Sequence, residues 1–182
     1  MGLCALAEEG QASACNGIQS RFRGSNLSTL EPWGVRFMPI DFARYRNNPC
    51  EILPLTTGAG EKEKVPARSG LNWGQRPGRN QNQAYLPVPA EVQRSKFFPE
   101  TGIEFRVIAD DGVEFRFVRA QANGKGIHSL PANDLLGTYF RSRLKVESGE
   151  LIVLTHLHIH GRTTVDFYKI DGGLFFMDFS GR

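Results

Sequence analysis

At 182 residues, 40% hydrophobic and 23% charged, the chain is long enough to bury the core of one globular domain and to carry an extension. No apolar run approaches membrane-spanning length, and the start MGLCALAEEG lacks a basic region ahead of an apolar core, so a soluble, unexported protein without a membrane partner is expected. Cys4, Cys15 and Cys50 are odd in number and form no CxxC pair, which excludes a disulfide framework and a zinc knuckle and points to a reducing cytoplasm.

The formal charge of +3 is unevenly spread: Arg68 to Lys96 holds five Lys/Arg against one Glu, and Arg116 to Lys145 holds six against one Asp. Brought together by the fold, the two stretches would make a one-faced footprint for a polyanion; left apart, they are solvated surface.

Residues 1–65 mix Gly, Ser, Pro and Asn with scattered aromatics, show no sustained period and end in the charged GAGEKEKVP. They are expected to form a partly ordered extension and linker, with a short strand at Glu51 to Leu55 as an option, ahead of a strand-rich domain over 66–182.

The run SGLNWGQRPGRNQNQAYLPVP, Ser69 to Pro89, is dense in hydrogen-bonding side chains, with three Asn, three Gln and two Arg between Asn72 and Gln83. Gly74, Pro77 and Gly78 forbid a regular helix or long strand. It reads either as a polar surface loop or as a recognition arm, because Asn and Gln pair a donor with an acceptor and Arg offers a fork of donors, the geometries that match adenine and guanine edges. Trp73 and Tyr85 suit stacking on single-stranded nucleic acid, or Trp73 anchors the base of the arm beside Leu71.

Beyond the arm, Ala84 to Val88 reads as a brief strand and Glu91 to Lys96 as one or two helical turns. Ile103, Phe105, Val107 and Ala109 alternate with polar residues, the turn Asp110-Asp111-Gly112 follows, and Val113, Phe115 and Phe117 repeat the alternation, predicting a hairpin. RAQANGKG, Arg119 to Gly126, is a second polar, glycine-bearing connection before a strand at Ile127 to Leu130. Asn133 to Lys145 carries apolar residues at helical spacing. Three more strands are predicted at Leu151 to His160, Thr163 to Ile170 and Leu174 to Phe179. Seven closely spaced strands with one or two short helices favour a mainly β, largely antiparallel barrel from which the two polar connections project.

The string from SGLNWGQR to YLPVP, followed by FFP, the DDG hairpin, RAQANGKGIHS, LLGTYFRSRL and GRTTVDFYKID, resembles the C-terminal DNA-recognition domain of restriction endonucleases whose separate N-terminal nuclease is of the phospholipase D type. That domain belongs to the DNA-binding pseudobarrel superfamily shared with plant B-three transcription factors. The resemblance runs from about Ala67 to Ser180. It implies a seven-stranded open pseudobarrel with two short helices that grips the major groove of duplex DNA with an N-arm, here Trp73 to Asn82, and a C-arm, here Arg119 to Lys125.

On this reading Gln75, Arg76, Arg79, Asn80, Gln81 and Asn82, with Arg119, Gln121, Asn123 and Lys125, are the base-reading candidates, Arg76 and Arg79 being assigned to guanine. Trp73 completes the arm, while Arg94, Lys96, Arg141 and Arg143 are assigned to phosphates. The sequence departs from such enzymes in having no HxK motif, and its acidic residues do not converge near a Lys, so no catalytic residue, metal or cofactor is expected in this chain. Cleavage would need a nuclease domain or subunit as partner, and the isolated domain is expected to be a monomer.

The rival reading takes His156, His158 and His160 as alternating on one strand, projecting from one face as metal ligands do, with Asp166 or Asp178 completing the site of a small metal-dependent β-barrel enzyme. The apolar Leu157 and Ile159 would then form the opposite face.

Overall fold

The computed structural model describes residues 44–181. Most of the expected extension, residues 1–43 with Cys4 and Cys15, therefore lies outside the described residues.

Seven strands form one sheet in the order β1-β6-β7-β3-β4-β5-β2: β1 Cys50–Pro54, β2 Leu86–Pro87, β3 Glu104–Ala109, β4 Glu114–Ala120, β5 Gly126–Leu130, β6 Thr164–Asp171 and β7 Leu174–Asp178. All neighbours are antiparallel except β3 and β7, which run parallel. The sheet curls until its two edge strands, β1 and β2, lie near one another without pairing, giving an open half-barrel. Three short α-helices accompany it: α1 Ala90–Arg94, α2 Asp134–Leu144 and α3 Leu154–His160.

The hairpin of β3 and β4 follows the alternation in the sequence. Phe105, Val107 and Ala109 face the core, as do Phe115 and Phe117, while Arg106 pairs with Glu114 on the exposed side at 2.9 Å. Ile103, expected on the buried face, precedes the strand and is exposed. An aromatic cluster of Phe98, Phe105, Phe167 and Phe175 fills the inside of the curl, and Phe97 packs edge-on against Phe98 and Phe175. Leu136, Phe140 and Leu144 of α2 are buried, Phe140 against Phe179.

Two expectations change. The stretch containing the three histidines is not a strand: residues 154–160 form α3, stopped by Gly161, whose left-handed backbone (φ 86°) lets its N–H reach the carbonyls of Leu157 and His158. Leu157 alone of this helix is buried, and Ile159, expected beside it on one apolar face, is 80% exposed. The missing strand is replaced by β1, the optional strand of the segment read as extension, which pairs with β6 from Cys50↔Tyr168 to Pro54↔Thr164. The number of strands is as expected, but its membership is not.

A buried ion cluster ties the end of α3 to the sheet. Arg162 pairs with Asp166 and, at 3.0 Å, with Asp178, whose carboxylate also accepts from the Ser180 backbone and hydroxyl at 2.8 and 2.6 Å. Burial works against the charge on Asp178, but Ser180 and Arg162 together hold its carboxyl below the ordinary range.

Candidate nucleic-acid interface

The first arm is a folded object rather than a loose loop. Gly70–Gln75 forms 3₁₀ turns seated by the fully buried Asn72. Its Nδ2 donates to the carbonyls of Ile152 and Pro66 at 2.8 and 3.1 Å, and its Oδ1 accepts from the Ile152 N–H at 2.9 Å. A Cβ on Gly74 would sit 2.2 Å from the Asn80 carbonyl, so only glycine lets the two sides of the arm close. A Cβ on Gly137 of α2 would lie 1.7 Å from the Asn82 carbonyl, which explains a glycine inside that helix: it is the notch in which the arm rests.

Several amides expected to reach outward are engaged within this scaffold. Gln75 donates to the Gly149 carbonyl at 2.8 Å, Asn80 to Asp134 at 2.9 Å and Asn82 to the Ser148 hydroxyl at 2.8 Å, while Asn82 Oδ1 accepts from the Gly149 N–H at 2.7 Å. Exposed polar side chains on the arm are Arg76, Arg79, Asn80 and Gln81, of which Asn80 is tied to Asp134. Arg79 lies over the Trp73 ring, 4.0 Å from its centroid, and its Nη1 donates to Gln83 at 3.1 Å, so its guanidinium is held in a set plane. Arg76 is steadied through Nε on the Arg68 carbonyl at 2.8 Å.

The second connection is short and strained. Gln121 has φ 68° and ψ 171°, a region that glycine alone adopts readily, and Asn123 and Gly124 are also left-handed, at φ 61° and 65°. Asn123 and Lys125 are exposed and Gln121 is half-buried.

Three basic residues assigned to DNA have partners within the fold. Arg119 is buried beneath this second connection, donating to the carbonyls of Gly124 at 3.1 Å and Pro99 at 3.2 Å. Arg141 is buried and donates to the carbonyls of Glu150, Gly137 and Gln81, joining α2 to the first arm; burial pulls its pKa down. Arg143 clamps the β3–β4 turn, pairing with Asp110 at 2.6 Å and Asp111 at 3.0 Å and donating to the Tyr139 hydroxyl and the Phe179 carbonyl. Arg119 and Arg141 follow one rule, that a guanidinium near a glycine-bearing loop can satisfy several carbonyls at once, whereas the half-buried Arg143 is held chiefly by two carboxylates. Arg94 and Lys96 remain exposed at the end of α1.

Both connections meet at one place. A cleft of about 380 Å³ is lined by Trp73, Arg76 and Arg79 from the first, Gln121 from the second, and Tyr85, Val118, Ala120, His128 and Asn133 between them. Its floor is the face of β4 and β5 turned away from the core, where Val118 stands opposite His128 and Ala120 opposite Gly126. His128 is buried, stacks on Tyr85 at 5.6 Å and meets the edge of Trp73 at 5.2 Å. Burial and the nearby Arg79 lower its pKa, against an opposing hydrogen bond from the ring to Asn133. Sequence reasoning took Trp73 and Tyr85 as a pair but missed His128 and Asn133; the available signal was the alternation Gly126, His128, Leu130, which puts the ring on the face opposite Ile127.

The histidines of α3 do not gather. His156 accepts the Val153 N–H at 3.2 Å and His160 meets the Phe179 carbonyl at 2.8 Å, and on a helix His158 is turned away from both. Among the described residues no group of three or more His, Cys, Asp or Glu side chains is placed to hold a metal ion, and no helix is long and apolar enough to cross a membrane.

A comparison with curated proteins returns no match. The sequence model of the family described as the NgoFVII C-terminal B3-like DNA-binding domain matches residues 51–171, from β1 to the end of β6. With two thirds of the sequence so matched, across the strands and both connections that enclose the cleft, the chain belongs to this B3-like DNA-binding domain family and its partner is DNA.

Proposed function

We propose that the chain binds duplex DNA sequence-specifically in the major groove, with Trp73 to Asn82 and Arg119 to Lys125 as two arms, and serves as the target-recognition domain of a restriction endonuclease. The observation that carries this reading is the convergence of Arg76, Arg79 and Gln121, from segments some forty residues apart, on one cleft lined also by Trp73, Tyr85 and His128. Arg76 and Arg79 present donor forks suited to guanine, while Gln81, Gln121, Asn123 and Lys125 supply the remaining base-edge contacts. Arg94 and Lys96 bind phosphate. Gln75, Asn80, Asn82, Arg119, Arg141 and Arg143 hold the shape of this surface through their contacts within the fold.

Under this reading the chain does not cut DNA; a nuclease domain or subunit does. The DNA-binding unit begins at or before β1, the isolated unit is a monomer, and it works in the cytoplasm. Duplex is favoured over single strands because the Trp73 face is covered by Arg79 and the Tyr85 ring is stacked on His128.

Selection of bound duplexes from a random pool, with the same sequences offered as single strands and in the presence of Mg²⁺, tests the reading. A short enriched duplex site without cleavage is expected. A flat pool, tighter single-strand binding or magnesium-dependent cleavage by the pure chain would each refute the corresponding part.

A further inference from the structure

The carboxamide of Gln121 is held from below. Its Nε2 lies 3.2 Å from Nε2 of His128, and the ring is fixed in turn by stacking on Tyr85 and by the edge of Trp73. A neutral imidazole accepting at Nε2 carries its proton on Nδ1. Gln121 then spends one amide N–H on the ring and retains its oxygen and second N–H in a fixed order.

Gly126 makes room for this contact. It does not have a left-handed backbone, yet a Cβ there would stand 2.9 Å from Gln121 Nε2, 3.0 Å from its Cδ and 3.2 Å from His128 Nε2. Space rather than chain flexibility is what the glycine supplies. The backbone points the same way: Gln121 occupies a glycine-like φ and ψ, held by the Gly124 N–H on its carbonyl at 3.0 Å and by Arg119 on the Gly124 carbonyl. Strain of this kind persists where the surroundings over-determine a side chain's position.

We propose that His128, with Gly126 beside it, is a positioning residue for specificity: it fixes the orientation of the Gln121 carboxamide and so sets which base that side chain reads. This rests on the two-arm reading. A carboxamide with a fixed acceptor and a fixed donor matches the N6 and N7 edge of adenine and mismatches guanine, which offers two acceptors there. A freely rotating Gln could satisfy either in part.

The test is selection from randomised duplexes with the full chain and its variants, each checked for folding by thermal melting. Gln121→Ala is expected to flatten the preference at one base pair by about tenfold. His128→Phe, which keeps a stacking ring but removes the acceptor, should flatten the same base pair and leave the others sharp. Gly126→Ala should do likewise by displacing the carboxamide. The double variant Gln121→Ala/His128→Phe should lose no more than Gln121→Ala alone, and His128→Gln, whose oxygen can take the place of Nε2, should restore the preference that His128→Phe removes. Should His128→Phe not fold, His128→Leu carries the same expectation. If Gln121→Ala flattens a position and His128→Phe does not, or scales affinity at all positions alike, the positioning role is overturned alone. If Gln121→Ala leaves every position unchanged, Gln121 reads no base and its part in the arm reading falls as well.

Discussion

Arg141→Ala separates a structural arginine from a phosphate-binding one. The side chain is 1% exposed and donates to the carbonyls of Glu150 at 2.9 Å, Gly137 at 3.2 Å and Gln81 at 3.2 Å, so one guanidinium joins the loop after α2, the helix itself and the first arm. A hydrogen bond from a charged donor contributes about 1.5–3 kcal/mol. Desolvation of the cation opposes these gains, as the lowered pKa of Arg141 indicates. Removing the side chain leaves three carbonyls without their donor and an empty space, for a net loss of about 3–5 kcal/mol. In a domain of this size that corresponds to a fall of roughly 10–15 °C in melting temperature. Arg141→Lys should lose about half as much, because a compact ammonium cannot span three acceptors fixed by a planar fork. Thermal unfolding measures the loss, and DNA titrations at several salt concentrations, below both melting points, measure the phosphate contribution. A variant that melts with the parent while its log-log salt slope falls by about one unit would refute the reasoning and return Arg141 to the DNA surface.

Gly137→Ala sets helix propensity against packing: propensity alone favours Ala by about 1 kcal/mol, but the added Cβ would meet the backbone carbonyl of Asn82 at 1.7 Å. A net loss of about 1–3 kcal/mol and weaker site-specific binding are expected, and a higher melting temperature would contradict this. Asp178 has a folded-state pKa below its ordinary 3.8, so the stability it contributes is present above about pH 4 and is lost as pH falls through the lower folded value. The acid limb of a stability-versus-pH curve should therefore flatten in Asp178→Asn, and an unchanged limb would show that Arg162 and Ser180 do not favour the carboxylate. Lys125→Ala, at an exposed position of the strained second connection, should relax the preference at one base pair, whereas a uniform loss of affinity with the log-log salt slope reduced by about one unit would move the residue to phosphate.

Where side-chain alternation matched burial, the sequence by itself determined the structure. Phe105, Val107 and Ala109 opposite Phe115 and Phe117, with Asp110-Asp111-Gly112 between them, could only bury one face by folding into a hairpin. The helix at 134–144 was equally legible from Leu136, Phe140 and Leu144. The motifs in and around the two polar connections were enough to mark a B3-like DNA-binding domain. Period alone did not decide LTHLHIH, which alternates like a strand yet is a helix. A segment of seven residues that buries only Leu157 takes its conformation from the Gly161 stop and from Arg162 docking on Asp166 and Asp178, partners that become neighbours only in the fold. Likewise the sequence offered β1 only as an optional strand at Glu51 to Leu55, because its pattern is weak and β6 supplies the edge on which it forms. Charge was the least legible property of all. Arg76 and Arg119 look alike in sequence, but the cost of burying a guanidinium is met only where several carbonyls converge, and that convergence is set by how the arm, α2 and the hairpin pack.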